Sequence, residues 1–202
     1  MLLRSMPDSL GLIRAFVAVP LPPGWIDRLL AVQKTLQRRL PFAAVRWTKP
    51  GQIHLTVRFF GDLPVSEIQN LVLALRTASQ GVAPFLLGID KPGGFPNLKV
   101  PRVIWLGLTR DLDSLVNLQA RIERATRAWG EQPEARDFHP HLTLARIKGA
   151  SPRECQQIAE RLADLALAGF DPFRVQQFDL LSSELLPEGP IYRRLAEIHL
   201  PA

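Results

Sequence analysis

The same four-residue pattern occurs twice in this sequence, and the distance between the copies restricts how the chain can fold. His54-Leu55-Thr56-Val57 and His141-Leu142-Thr143-Leu144 both read histidine, apolar residue, threonine, apolar residue. The histidines stand 87 positions apart (141 − 54), and the Pro-Phe pairs at 84–85 and 172–173 stand 88 apart (172 − 84). A repeat of this length predicts two similar units that pack together and share a core.

Hydrophobic periodicity predicts strands and helices in the same order in both repeats. Strands are predicted at 13–19, 53–60, 84–89, 103–108, 141–147, 173–181 and 192–200, and helices at 25–40, 65–79, 112–129 and 152–168. We therefore expect two similar lobes of strands and helices that meet at a pseudo-twofold axis. Residues 1–12 are predicted to form an N-terminal extension, and residues 13–202 a single domain.

The composition favours a protein without membrane spans or disulfides. No apolar run approaches the roughly 18 residues that cross a bilayer, and no signal peptide is expected in residues 1–12. The single cysteine, Cys155, excludes an internal disulfide, and the expected location is the cytoplasm. The formal charge of +6, from 25 basic and 19 acidic residues, favours an anionic partner, nucleic acid above all.

The chemistry of the two motifs follows from their spacing. On a strand, residues two apart point to the same face, so His54 shares a face with Thr56, and His141 with Thr143. Pairing two lobes about an axis brings the two imidazoles together across a cleft. Because histidine titrates near neutral pH, one ring can accept a proton while the other donates one. Threonine hydroxyls can bind the oxygens of a tetrahedral anion, so the set suits in-line displacement at phosphorus.

Two further histidines lie outside the pattern. His139 precedes Pro140 and is interpreted as a local hydrogen-bonding residue, and His199 as a surface residue at the end of the last strand. His139, His141 and His54 would together offer three nitrogen ligands to a catalytic zinc ion. The repeat, however, predicts one functional histidine in each lobe, and no Asp, Glu or Cys lies within the motifs. We therefore predict neither a metal site nor a cofactor.

The paired motifs resemble those of the two-histidine (2H) phosphoesterases. The flanking sequence is similar to the bacterial RNA 2',3'-cyclic phosphodiesterases, also called the 2'-5' RNA ligase family, over nearly the whole chain from Ile13. Besides the motifs, the stretches that carry this resemblance are 14–20, 45–48, 58–61, 93–96, 101–107, 140–146 and 192–196. The resemblance implies a bilobal α+β fold with one lobe formed by the two chain ends and the other by the middle. Each lobe would have an antiparallel sheet flanked by helices, with the active-site cleft between them.

The resemblance also implies roles for individual residues. His54 is similar to the family's general acid and His141 to its general base, although the residues alone leave the two symmetric. Arg146 matches an arginine that contacts the phosphate. It lies five residues after His141, so a bulge or a strand end must intervene if both are to share a face. Phe59 occupies the position in the first repeat that corresponds to Arg146 in the second. Two interpretations of Phe59 stay open: it stacks on a base, or it belongs to the core.

Together these observations predict hydrolysis of 2',3'-cyclic phosphate RNA ends to 2'-phosphates, with Thr56, Thr143 and Arg146 holding the phosphoryl oxygens. The reverse direction would join such an end to a 5'-hydroxyl through a 2'-5' linkage without ATP, and the sequence contains no Walker-type phosphate loop. The alternatives are a phosphodiesterase for another cyclic phosphate or for 2'-5' oligonucleotides, and a non-catalytic RNA-end-binding protein. We expect a monomer. Basic residues that flank the motifs are expected to contact nucleic-acid phosphates; they include Arg46, Lys49, Arg58 and Lys148.

Overall fold

The computed structural model describes residues 11–130, 138–187 and 189–201, which form nine strands, four α-helices and two short 3-10 helices. The strands are β1 (Leu12–Val19), β2 (Val45–Trp47), β3 (Leu55–Pro64), β4 (Phe85–Phe95), β5 (Val103–Arg110), β6 (His141–Ile147), β7 (Phe173–Val175), β8 (Gln177–Leu186) and β9 (Gly189–His199). The α-helices are α1 (Pro23–Arg39), α2 (Ile68–Ser79), α3 (Leu112–Ala125) and α4 (Pro152–Ala163), and the 3-10 helices are Pro50–Gln52 and Val65–Glu67. No helix within these ranges has the length and apolar character needed to span a membrane.

The strands form one antiparallel sheet in the order β7-β4-β5-β6-β3-β1-β8-β9, with β2 paired to β6. The sheet is narrowest at its centre, where one residue pair, Leu55 with Leu142, joins β3 to β6. This junction divides the sheet into a terminal lobe, built from β3, β1, β8 and β9, and a middle lobe, built from β7, β4, β5, β6 and β2. The predicted bilobal α+β fold is confirmed, including the combination of both chain ends in one lobe.

The central leucine pair marks the pseudo-twofold axis. Leu55 and Leu142 each follow a motif histidine and stand 87 positions apart (142 − 55), so they are equivalent in the repeat. In an antiparallel pair, a local twofold axis passes between residues that lie directly opposite each other. The repeat axis therefore runs between these two leucines, and each feature on one side of the pair has a counterpart on the other.

Helix α1 follows β1 in sequence but lies on the other lobe. Gln33 on α1 donates hydrogen bonds to the carbonyl oxygens of Thr48 and Leu144, at 2.9 and 2.8 Å, which places this helix on the middle lobe. Helix α4 contacts β4 of the same lobe, whereas α2 packs against α3 and β9, and α3 contacts β3 of the terminal lobe. The spatial lobes therefore differ from the two halves of the sequence.

Each helix contributes apolar side chains to the core of the sheet. Leu29, Leu71, Leu115 and Leu162, one from each α-helix, are buried to 1% exposure or less. Burial of one leucine side chain stabilises the folded state by about 1.5–3 kcal/mol. Because the helices pack on the apolar face of the central strands, the opposite face is left for polar residues.

Arg58 links the strand of the first motif to a helix end. Its buried guanidinium donates hydrogen bonds to the carbonyl oxygens of Glu123 and Trp129, at 2.7 and 3.2 Å, and to the hydroxyl of Thr126 at 2.9 Å. It also forms an ion pair with the Glu123 carboxylate, and a cation at the C-terminus of α3 interacts favourably with the helix dipole. The prediction that Arg58 contacts nucleic-acid phosphates is wrong, because this side chain is anchored inside the protein.

Several predicted boundaries were also wrong. The segment predicted as one strand at 173–181 forms two strands, because β7 pairs with β4 in the middle lobe while β8 pairs with β1 in the terminal lobe. Strand β2 was not predicted, and helices α3 and α4 end at Ala125 and Ala163 rather than at Trp129 and Ala168. Most of the extension predicted at 1–12 lies outside the described residues, and β1 begins at Leu12. That domain boundary stays a prediction.

Candidate active site

The register at the centre of the sheet brings the two motifs together. With the central leucines opposite each other, the antiparallel register places His54 beside Thr143 and Thr56 beside His141. All four polar side chains are half-buried, whereas the two leucines are fully buried on the other face. The structure thus collects the predicted catalytic histidines and phosphate-binding threonines on the sheet face opposite the core.

A bulge in β6 explains how Arg146 joins this face. Thr143 and Ala145 lie opposite consecutive residues of β5, which leaves Leu144 as the extra residue of a β-bulge. Leu144 and Ala145 are both fully buried, so the alternation of faces restarts one residue later. Arg146 is consequently exposed on the same face as His141, and the intervening bulge required by the sequence is found.

The first motif has a bulge at the equivalent position. Thr56 and Arg58 lie opposite consecutive residues of β1, so Val57 is the extra residue in β3. The bulge turns Phe59 to the site face, where 41% of the residue is exposed. The guanidinium carbon of Arg14 lies 4.9 Å from the centroid of the Phe59 ring, in a cation–π contact. Phe59 is therefore not a core residue, and its role in stacking on a base stays a prediction.

Each motif histidine faces the backbone two residues before it. Nδ1 of His141 lies 2.7 Å from the carbonyl oxygen of His139. Such a hydrogen bond holds the proton of the neutral ring on Nδ1 and leaves Nε2 as a proton acceptor. Gln52 occupies the equivalent position before His54, and its backbone raises the pKa of that ring. Nδ1 of His54 is nevertheless buried without a completed hydrogen bond to any described residue.

Burial lowers the pKa of both histidines. The pKa of His54 falls to about 4, mainly because burial penalises the charged ring, and the nearby charge of His141 lowers it further. Burial is also the main reason that the pKa of His141 is lowered; the hydrogen bond to the His139 backbone opposes this effect, and the charges of His139 and Arg146 add to it. Both rings are therefore predominantly neutral near pH 7 in the free protein.

Aromatic rings enclose His54. The ring centroids of Phe16 and Tyr192 lie 4.8 and 5.1 Å from that of His54, and Tyr192 meets it edge-on at 88°. Burial raises the pKa of the Tyr192 hydroxyl, while the positive charge of Arg146 lowers it. Since Arg146 also acts on His141, its guanidinium is close enough to influence groups of both lobes.

Neither Phe16 nor Tyr192 had a role predicted from the sequence. Both lie in stretches that carry the family resemblance, but a single aromatic residue in an apolar strand looks like a core residue. Strand alternation offered the only signal: Ala15 and Val17 belong to the core, so Phe16 between them faces the site.

The rings around His141 come from the middle lobe. Phe95 meets His141 edge-on with centroids 4.9 Å apart, and Trp105 packs against His139 at 4.8 Å. A Cβ atom on Gly93 would collide with the Trp105 ring, so glycine at this position allows the ring to lie against β4. The indole thereby fixes the position of the segment that leads into His141.

His139 and His199 have the surroundings that were expected from the sequence, one in a local hydrogen bond and the other at the surface. The carbonyl oxygen of His139 accepts the hydrogen bond from His141, and His199 is exposed and lies 2.9 Å from the Glu197 carboxylate. Among the described residues, no three His, Cys, Asp or Glu side chains converge in a metal-binding arrangement.

The comparison with protein families agrees with this geometry. A family model described as LigT-like phosphoesterase matches the chain twice, over residues 19–105 and 106–192. The chain belongs to the LigT-like phosphoesterase family. The two matches begin 87 residues apart (106 − 19), so they reproduce the offset between the two histidine motifs. This result confirms both the internal repeat and the resemblance to the 2H phosphoesterases.

Individual relatives of this LigT-like phosphoesterase cover almost its whole length. The RNA 2',3'-cyclic phosphodiesterase of Methanothermobacter thermautotrophicus is 36% identical over 180 residues, which are 89% of this chain and 95% of the relative. The crystal structure of TT0787 from Thermus thermophilus has a TM-score of 0.72 at 29% identity, and the match covers 93% of this chain and 98% of that one. The structure of E. coli LigT complexed with NADP+ has a TM-score of 0.71 at 25% identity, covering 94% and 98%.

Proposed function

We propose that this LigT-like phosphoesterase hydrolyses 2',3'-cyclic phosphate ends of RNA to 2'-phosphates, with His54 as general acid and His141 as general base. The observation that carries the proposal is the meeting of two His-x-Thr pairs on one sheet face, across the pseudo-twofold axis. The relative from Methanothermobacter thermautotrophicus is named for this activity. E. coli LigT was crystallised with NADP+, which supports a site for a nucleotide.

His141 is suited to activate water. Its Nδ1 is engaged by the His139 carbonyl, so the neutral ring presents Nε2 as a hydrogen-bond acceptor toward the cleft. A water molecule that donates to Nε2 transfers a proton to it as the water oxygen bonds to phosphorus. The lowered pKa of His141 keeps this nitrogen unprotonated at neutral pH.

His54 is suited to protonate the leaving oxygen once substrate is bound. As the bond between phosphorus and O3' breaks, O3' takes a proton from His54, which leaves a 2'-phosphate and a free 3'-hydroxyl. The acid must first carry a proton, although its pKa in the free protein is about 4. A phosphate anion in the cleft favours the charged ring and raises this pKa, so substrate binding itself promotes protonation of the acid.

The remaining polar groups hold the phosphoryl oxygens. Thr56 and Thr143 lie beside the opposite motif's histidine and can donate hydroxyl hydrogen bonds to the non-bridging oxygens. Arg146 adds a charged donor, which stabilises the negative charge that develops in the transition state. Phe59, exposed on the same face, offers a ring on which a base can stack.

The same groups can serve a second nucleophile. An RNA 5'-hydroxyl in place of water would be deprotonated by His141 and would yield a 2'-5' linkage, driven by release of the strained ring. No ATP would be consumed. The partner is RNA or an oligonucleotide with a cyclic phosphate end, and we propose that the protein acts on it as a cytoplasmic monomer.

One assay tests the proposed function directly. The protein is incubated with a nucleoside 2',3'-cyclic phosphate, and the product is identified by phosphorus NMR. We expect the 2'-phosphate to accumulate, and to form roughly 10²- to 10⁴-fold more slowly with the His54→Ala, His141→Ala double variant. Exclusive formation of the 3'-phosphate would contradict the proposed direction of ring opening, and absence of any product would contradict the activity itself.

A further inference from the structure

A second cationic position adjoins the proposed phosphate site. In the pairing of β2 with β6, Arg46 lies directly opposite Arg146. The residues that flank Arg46 on β2, Val45 and Trp47, pack in or against the core, so Arg46 points to the opposite face. Arg46 and Arg146 are therefore neighbours on the site face, and both are exposed.

This pair of arginines has no neutralising partner in the described part of the chain. Among the described residues, no side-chain hydrogen bond or ion pair involves Arg46 or Arg146, and the side chain of Lys148, two positions beyond Arg146, is also exposed and makes none. Like charges placed directly opposite each other on an antiparallel pair destabilise the sheet. A bound anion relieves this repulsion, so the pair is arranged to bind one.

The terminal lobe carries its cations differently. Arg14 lies over the Phe59 ring, and Arg194 lies 2.6 Å from the Glu197 carboxylate and 3.7 Å from that of Asp179. Its arginines near the site are thus already in contact with a ring or with carboxylates. The row formed by Arg146, Arg46 and Lys148, which we call the basic row, makes the middle lobe the side of the cleft with free positive charge.

We propose that Arg46, supported by Lys148 of the basic row, binds the phosphodiester on the 5' side of the reacting nucleotide, next to the reacting phosphate that Arg146 contacts. This inference rests on the proposed function. A 2',3'-cyclic phosphate ends the RNA chain, so any further phosphate of the substrate lies on its 5' side. Arg146 faces the reacting phosphate, and Arg46 lies opposite it on the neighbouring strand, about 5 Å across the ladder. The RNA therefore leaves the cleft over β6 and β2 of the middle lobe, while the terminal base lies toward the aromatic rings of the terminal lobe.

The test compares two substrates that differ in the phosphates on the 5' side. One is a nucleoside 2',3'-cyclic phosphate, which has only the reacting phosphate; the other is a trinucleotide that ends in a 2',3'-cyclic phosphate. For Arg46→Ala we expect roughly tenfold lower kcat/KM on the trinucleotide and less than twofold change on the nucleoside, as for loss of one charge-assisted contact. The slope of log(kcat/KM) against log[salt] for the trinucleotide should become less steep by about one. Arg38→Ala removes the same charge at an exposed position on α1, a helix that packs on the opposite face of the sheet, and should change the hydrolysis of neither substrate.

Each outcome decides the proposal. An equal loss on both substrates would assign Arg46 to the reacting phosphate or to the fold and would overturn the inference. No loss on the trinucleotide, or a loss matched by Arg38→Ala, would overturn it as well. The failure of the proposed function looks different: the unmodified protein would then hydrolyse neither substrate, and the inference would fall with it.

Discussion

The two halves of the site share a backbone and differ in their side chains. Both motif strands carry a bulge three residues after the histidine, at Val57 and at Leu144, and both histidines face the backbone two residues earlier. After the bulge, however, one strand presents Phe59 and the other Arg146. A duplicated backbone therefore supplies the symmetry that brings two imidazoles together, and divergent side chains then make the two imidazoles different.

That difference makes the two histidines chemically distinct, and the proposed acid, His54, needs a bound phosphate to raise its pKa before it can donate a proton. His54 lies among the rings of Phe16 and Tyr192, and its pKa falls to about 4. His141 lies beside Arg146 and has a completed hydrogen bond on Nδ1. Acid–base catalysis in one step needs one neutral and one charged ring, and two identical environments would not favour either assignment.

The largest effect is expected when either half loses its histidine. His54→Ala and His141→Ala should each reduce turnover by roughly 10²–10⁴, because each removes one proton-transfer group. The double variant should be little worse than the poorer single variant, as expected for groups that act in one concerted step. Turnover by each variant on a cyclic nucleotide, with circular dichroism as the check on folding, measures this.

The controls for that experiment are the two remaining histidines. His139→Ala keeps the backbone carbonyl that orients His141, and His199 is an exposed residue paired with Glu197, so both variants should lose little activity. If a folded His139→Ala protein were as impaired as His141→Ala, the twin-motif mechanism would be wrong.

A smaller effect is expected at the position where the halves diverge. Arg146→Ala should reduce kcat/KM by roughly 10- to 100-fold, because a charge-assisted hydrogen bond contributes about 1.5–3 kcal/mol. Phe59 occupies the equivalent place, and Phe59→Ala should reduce binding of a nucleotide without affecting inorganic phosphate. Steady-state kinetics and inhibition constants for inorganic phosphate distinguish the effect of Arg146→Ala from that of Phe59→Ala. Equal effects of both changes on phosphate inhibition would show that the halves do not divide these tasks.

The sequence predicted most of this arrangement but not the details that depend on distant contacts. The twin motifs were sufficient to place four polar side chains on one face. The odd spacing of five residues between His141 and Arg146 indicated that a bulge was needed for both to share that face. The role of Arg58 was mispredicted because its partners, Glu123, Thr126 and Trp129, are at least 65 residues away in the chain. Likewise, local periodicity cannot reveal that β7 and β8 pair with different lobes, since both have the same strand character.

The pH dependence of stability should also differ between the halves. The pKa of His54 is about 4 in the folded chain and about 6.5 when unfolded, so the unfolded chain binds more protons between these values. The contribution of His54 to the free energy of unfolding is therefore fully present above about pH 6.5. It is lost as the pH falls toward 4, which lowers the free energy of unfolding by about 2–3 kcal/mol. Unfolding by urea at a series of pH values measures it, with His54→Gln expected to show a shallower loss below pH 6.5.

The matching variant in the other half serves as the comparison. His141→Gln removes a ring that is less deeply buried, so it should flatten the pH profile less than His54→Gln does. If the two variants gave the same profile, the inferred difference in environment between the histidines would not hold. If neither variant changed the slope, the acid sensitivity would have to come from other groups.

The smallest expected effect is that of a chelator. The proposed proton transfer between His54, His141 and the substrate requires no metal ion, and the residues described in the structure contain no cluster of metal-binding side chains. Turnover of a cyclic nucleotide should therefore be the same after dialysis against EDTA as before it, at every pH at which turnover is measured. Loss of activity with EDTA and its recovery with zinc would instead mean that a metal ion, and not the second histidine, activates the water. The difference between the two halves of the site would then need another explanation, because a metal-bound water would make the pKa of His141 irrelevant to the rate.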